Sequence, residues 1–214
     1  QVVNCWLIFY LLFFFGLPAR LAMANTNPGP DVVPGAGDLT SATGAGITGS
    51  AANWLQVTQT TNRAIMNWTK FDIGQNSAVQ FVQPGTTAAV LNRVSDASGT
   101  GIMGSLTANG RVFIVNPAGI VFGKNAAVNV NQLVASSMNI DDSDFLDGAP
   151  YQFDGGNGAV INQGTITAYG VALIGKMVQN NGIITTSPGG FVAMAAGDSV
   201  LLGEPGSAIV VEAD

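Results

Sequence analysis

Two short β-rich runs, Val112–Val115 and Ile120–Phe122, are joined by only Asn116-Pro117-Ala118-Gly119. That order suits a type I turn: Asn first, Pro second with φ already set, Gly fourth. The third position of such a turn needs no positive φ, so Ala118 is allowed there. The unit reads strand, tight corner, strand, and similar units recur to the end of the chain. Asn162-Gln163-Gly164-Thr165-Ile166-Thr167 returns as Asn180-Asn181-Gly182-Ile183-Ile184-Thr185, displaced by 18. Val171-Ala172-Leu173-Ile174 returns as Phe191-Val192-Ala193-Met194, displaced by 20. A period near 20 residues with several short strands per unit predicts an all-β solenoid, a parallel β-helix whose coils pair one on the next. At ~20 residues per coil and ~4.8 Å per stacked strand, about 190 residues would give roughly nine coils and a rod ~40–45 Å long. A β-sandwich would instead carry turn signals about every 8–12 residues, without that longer repeat.

The strand runs carry a second expectation. Val112–Val115 is continuously apolar, where a half-exposed strand would alternate, which implies that both faces of the sheet are covered in places. Val, Ile, Thr and Phe runs punctuated by Gly and Asn favour short strands and tight turns. Only 9% of the residues are charged, and the Leu, Glu, Lys and Arg that long amphipathic helices need are scarce.

The first 24 residues read differently from the rest. Trp6–Leu17 is apolar, Pro18 breaks it, and Ala22 and Ala24 occupy −3 and −1 of a cleavage site before Asn25. These are the marks of a secretory signal, and the run is shorter than the ~20 residues a membrane span requires. The chain begins with Gln1 and lacks a basic n-region, so its true start is expected upstream. Without the signal and its Arg20, 13 acids face 7 − 1 = 6 bases, a net charge of −7. Such a balance argues against nucleic-acid binding, which needs a basic face. The only cysteine, Cys5, lies in the signal. A thiol-free mature chain fits one kept unfolded through the periplasm and threaded through a second membrane.

Residues 25–54 are expected to form an irregular stretch or cap, and 55–214 the β-helical part, with both ends of the protein lying beyond this sequence. Asp141–Tyr151 interrupts the rhythm as an acidic loop or short helix. Asparagines next to strand ends (Asn116, Asn129, Asn131, Asn162, Asn180, Asn181) are read as partners for turn backbone or as stacked amides between coils.

Little of this composition supports catalysis. With no histidine anywhere and no thiol after the signal, Ser/His/Asp and Cys/His chemistry and the usual zinc sites are excluded. A carboxylate pair acting on polysaccharide survives as an alternative, on fold alone. Asp141, Asp142, Asp144 and Asp147 could hold Ca²⁺, but their spacing does not match an EF-hand and a solvated segment is the better reading. Asp154-Gly155-Gly156-Asn157-Gly158 is a single copy of what calcium nonapeptides repeat, and it is set aside. Trp54, Trp68, Tyr151, Phe153 and Tyr169 are read mainly as core or cap residues rather than sugar platforms. No catalytic residue, metal site or cofactor is assigned.

The run Gly104–Gly123, with Ala108-Asn109-Gly110-Arg111-Val112-Phe113-Ile114-Val115 leading into the corner, closely resembles the secretion domain of filamentous-haemagglutinin-like exoproteins. These are the passengers of two-partner secretion in Gram-negative bacteria. The resemblance extends upstream through Arg63–Trp68, Phe71–Gly74, Phe81–Pro84 and Val90–Val94. Downstream it takes in Leu133–Ser136, Asp144–Leu146, Asn162–Thr167 and Val171–Gly175. It implies a right-handed parallel β-helix, exported by the general secretion machinery and recognised by periplasmic domains of an outer-membrane β-barrel transporter. The chain would then fold outside the cell, secreted or held at its surface, as the module of a large adhesin or haemolysin-like protein. The family's Asn-Pro-Asn-Gly-Ile motif falls on Asn116, Pro117, Ala118, Gly119 and Ile120, with Ala118 the departure. A second motif, Asn-Pro-Asn-Leu, is absent; Asn67-Trp68 lies in its region without matching. The alternative within this reading is an adhesin domain that itself binds host-cell or bacterial surface glycans or receptors.

Overall fold

A computed structural model describes residues 28–29, 31–148 and 150–203. The early strands are β1 (Leu39–Thr43), β2 (Ala45–Ala51), β3 (Trp54–Gln59), β4 (Arg63–Trp68), β5 (Ala78–Val82) and β6 (Ala89–Val94). Next come β7 (Thr100–Ile102), β8 (Ser105–Ala108), β9 (Arg111–Val115), β10 (Ile120–Phe122), β11 (Ala127–Asn129) and β12 (Gln132–Ser136). A short segment of β13 (Asn139–Ile140), helix α1 (Asp142–Asp147) and β14 (Tyr151–Asp154) follows. The rest comprises β15 (Ala159–Asn162), β16 (Thr165–Gly175), β17 (Met177–Asn180), β18 (Ile183–Ala196) and β19 (Ser199–Leu202).

These strands wind into a parallel β-solenoid of about six turns. One face stacks β4, β6, β9, β12 and the second halves of β16 and β18, in parallel register. A second face stacks β7, β10, β15 and β17. The third stacks β3, β5, β8, β11 and the first halves of β16 and β18. Inward side chains from all three faces meet in one lumen, where Leu55, Val79, Leu106, Val112, Ile120, Phe122, Leu133 and Val171 are fully buried. Each such side chain contributes on the order of 1.5–3 kcal/mol of burial. The buried amide of Asn92 interrupts the apolar stack and is satisfied on both sides. Its Oδ1 accepts from Trp68 Nε1 at 3.0 Å and its Nδ2 donates to the Phe113 carbonyl at 3.2 Å.

The roughly nine coils expected from length are thus too many. Three departures from the uniform repeat account for the difference. At the N-terminal end β1 runs antiparallel to β4 and β2 antiparallel to β3, closing an edge that would otherwise invite pairing. Residues 137–158 leave the helix between β12 and β15. Beyond β18 the chain turns outward, and β19 pairs antiparallel with β14, which pairs with β13. The displacement of 18 holds, with Thr165 opposite Ile183 and Asn162 opposite Asn180. The displacement of 20 does not: Val171 lies opposite Val192 and Leu173 opposite Met194, a shift of 192 − 171 = 21. Between Ala168 and Gly170 the register is irregular, because four residues (187–190) stand against Tyr169 alone.

The small β13–β14–β19 sheet and α1 lie on the outside of the first face. Phe113 and Val115 point out of the lumen there, yet both are buried with Leu91, Val134, Phe145, Tyr151, Phe153 and Val200. The continuous apolar run of β9 is explained by this second layer. Arg63 fastens it: its Nη1 donates to the Phe145 carbonyl at 2.8 Å and to Tyr151 Oη at 2.9 Å, between the two rings. Arg93 adds bonds to the Ile140 carbonyl and Asp142 Oδ1, each at 2.6 Å.

Candidate functional site

The first and second faces meet at a row of corners, and the Asn116–Gly119 corner joins β9 to β10. The corner of the preceding coil is Ser95–Gly99, and that of the following coil has expanded into residues 137–158. Gly119 N–H donates to the Asn116 carbonyl at 2.9 Å, closing the turn. Among the described residues no non-glycine residue has positive φ, so Ala118 occupies the third position without the left-handed backbone a type II turn would demand. Gly119, at φ 114°, does need glycine.

Asn116 is 1% exposed and spends both ends of its amide inside the fold. Its Oδ1 accepts the Ala118 N–H at 2.9 Å, an Asx turn, and its Nδ2 donates to Thr100 Oγ1 at 3.0 Å in the coil before. Main-chain bonds tie the corner on both sides: Thr100 N–H to the Gly119 carbonyl at 2.9 Å, Asn116 N–H to the Ser136 carbonyl at 3.0 Å. Ile120 is fully buried in the lumen. Of the five motif residues, only Pro117 and Ala118 reach the surface, both partly exposed. They border an open groove of about 480 Å³ with Ser95, Asp96, Asn139, Gly156 and Asn157.

The reading of strand-end asparagines as turn partners holds for Asn116 and Asn162. Asn162 Oδ1 accepts the Gly164 N–H at 3.1 Å and its Nδ2 donates to Asn180 Oδ1 at 2.8 Å. Asn131 instead reaches the Thr86 carbonyl at 2.9 Å. Of the aspartates in the interrupting segment, Asp142, Asp144 and Asp147 lie on α1, and Asp141 sits at its N-terminal boundary without a side-chain capping bond. The only buried residue of that helix is Phe145. Trp68, Tyr151 and Phe153 are core residues; Trp54 is half-buried and Tyr169 exposed. Ala22, Ala24 and Asn25 lie outside the described residues.

Sequence reasoning missed Thr100, whose hydroxyl meets the Asn116 amide, and the Gly155–Gly158 segment that returns from β14 across the corner. The glycine run itself was the available signal. Gly158 N–H donates to the Pro117 carbonyl at 3.0 Å, and Asn157 N–H approaches the same oxygen at 3.4 Å.

The family described as the TPS secretion domain matches residues 36–211. A heme/hemopexin-binding protein of Haemophilus influenzae strain Rd is 34% identical over 155 residues, spanning 68% of this chain and 17% of that protein. A second heme/hemopexin-binding protein of Haemophilus influenzae is 36% identical over 92 residues, spanning 43% of this chain and 10% of its own. The chain thus corresponds to under a fifth of the length of those relatives. Among solved structures, the HMW1 secretion domain from Haemophilus influenzae superposes with TM-score 0.74 at 31% identity, covering 82% of this chain and 48% of that one. A filamentous hemagglutinin secretion domain shares the fold, with TM-score 0.53 at 15% identity over 82% of this chain and 68% of its own.

Proposed function

This chain belongs to the family of TPS secretion domains, and from that membership we propose that its Asn116–Ile120 corner is the segment a cognate outer-membrane transporter reads. The chain is a secretion module of a two-partner system, of the kind carried by haemagglutinin-type and heme-binding exoproteins. Domains of this family are recognised by a cognate outer-membrane transporter and belong to adhesin-like exoproteins exported from Gram-negative bacteria.

The observation that carries the finer reading is the burial of Asn116. In the folded coil its amide is fully committed to Ala118 and Thr100, so a partner that reads this side chain meets it before the corner has formed. Periplasmic domains of the transporter are therefore assigned to the unfolded chain, and folding outside the cell takes the motif away from them. The signal ends at Ala24, leaving Asn25 as the mature start. No catalytic step is assigned to the domain. The whole protein is read as a large secreted or surface-held exoprotein.

The test is export of the tagged chain, given a start codon and a basic n-region, with and without its cognate transporter. Protease-resistant protein in the medium only when the transporter is present is the expected result. Export without the transporter, or unchanged export of Asn116→Ala and Pro117→Ala variants that fold normally, would remove the assignment to residues 116–120.

A further inference from the structure

The Asp154-Gly155-Gly156-Asn157-Gly158 run finds its use at the corner. It carries the chain from β14 back into the solenoid, and two of its residues adopt left-handed backbone, Gly155 at φ 65° and Gly156 at φ 72°. That double bend lays Asn157 and Gly158 directly on Pro117. Their N–H groups address its carbonyl at 3.4 and 3.0 Å. Nothing larger than glycine fits at the end of the run. A Cβ on Gly158 would fall inside the contact distances of Gly119 N and the Ala118 carbonyl carbon, and one on Gly156 would collide with the Ser137 carbonyl. Gly158 is buried, whereas Asn157 is exposed.

The corner and this strap are separated by about 40 residues of chain, yet neither is complete without the other. We propose that the strap is a latch on the recognition corner: its closure completes the coil and, by the same contacts, locks the corner in the folded form that the transporter does not read. The proposal rests on the reading of residues 116–120 given above and adds the step that ends recognition. Until the strap closes, the Pro117 carbonyl lacks these two N–H donors, and the corner is held by its own turn and by the neighbouring coils. Once the strap closes, the Pro117 carbonyl is taken and the Asn116 turn is pinned from outside. Release is then directional, because the latch lies C-terminal to the corner and reaches the outside later.

The test measures binding of the folded, secreted chain to its full-length transporter reconstituted in vesicles. Wild type is compared with Gly158→Ala, and urea-unfolded wild type diluted into the assay serves as reference. Opening the latch raises the fraction of molecules with an accessible corner, and apparent affinity scales with that fraction. With two backbone bonds lost, the expected gain for folded Gly158→Ala over folded wild type is about tenfold. Equal binding of the two folded proteins, while the unfolded reference binds, would overturn the latch alone. Failure of the unfolded reference to bind would overturn the recognition reading on which it rests. Should Gly158→Ala not fold, hydrogen exchange on wild type decides. The amides of Asn157 and Gly158 are expected to exchange through a local opening, faster than those of Val112–Val115. Exchange of both sets only on global unfolding would reject the latch.

Discussion

Asn116 shows how one side chain can define a motif by building it. Its carbonyl oxygen and amide nitrogen each have a partner within the fold, and removal of both leaves a part-buried N–H and a buried hydroxyl short of a bond. Asn116→Ala is expected to cost about 1–3 kcal/mol, seen as a lower thermal midpoint of the secreted domain. Asn116→Asp keeps the acceptor for Ala118 N–H and lets the Thr100 hydroxyl donate instead, but it buries a carboxylate, so its loss at neutral pH should be at least as large and should shrink as the pH is lowered and the carboxyl protonates. Ala118 behaves differently because it is partly exposed, with ordinary backbone. Ala118→Asn restores the residue type of the related motif and should leave stability within about 0.5 kcal/mol. A rise in export rate for this variant would mark the position as one the transporter contacts.

At the level of elements, the segment between β12 and β15 turns an ordinary solenoid face into a buried one. The outward residues Phe113, Leu91 and Val134 are covered by α1 and the β13–β14–β19 sheet. Phe113 packs edge-on to both Phe145 and Tyr151, at 5.2 Å each. Arg63 is the fastener, with two hydrogen bonds and two ring faces. Arg63→Ala is expected to cost about 2–4 kcal/mol from the charged hydrogen bonds and the cation–π contacts together. Its signature would be dye binding to newly exposed apolar surface and early proteolysis between residues 139 and 158, with the lumen still intact. Global unfolding at the same denaturant concentration, without that local step, would show the segment and the solenoid to be one cooperative unit. A continuous apolar strand such as β9 announces that something covers it. What covers it is set by residues nearly 40 positions away, Tyr151 among them, and no local pattern in β9 identifies them.

For the molecule as a whole, stability is a stack of coil-on-coil contacts around one lumen. Val90, Val112, Leu133 and Val171 form one inward column through successive coils. Val112→Asp would place an unpaired carboxylate at the centre of it. The expected outcome is loss of the protease-resistant core, an effect of several kcal/mol, and stalled export if folding outside the cell draws the chain through. Thr167, on the outside of the third face and exposed, should accept Lys with little change in the same assays. The amino-acid sequence alone determined the solenoid, the 18-residue return of Asn162–Thr167 on Asn180–Thr185, the Asn116–Gly119 turn and the family likeness. Those features rest on local turn chemistry and on similar side chains recurring from coil to coil. Only the tertiary structure decided the number of coils, the 21-residue register of Val171 on Val192, the second apolar layer and the glycine strap on Pro117. Each of these depends on a segment that leaves the repeat and packs against residues distant in the chain, where periodicity carries no information.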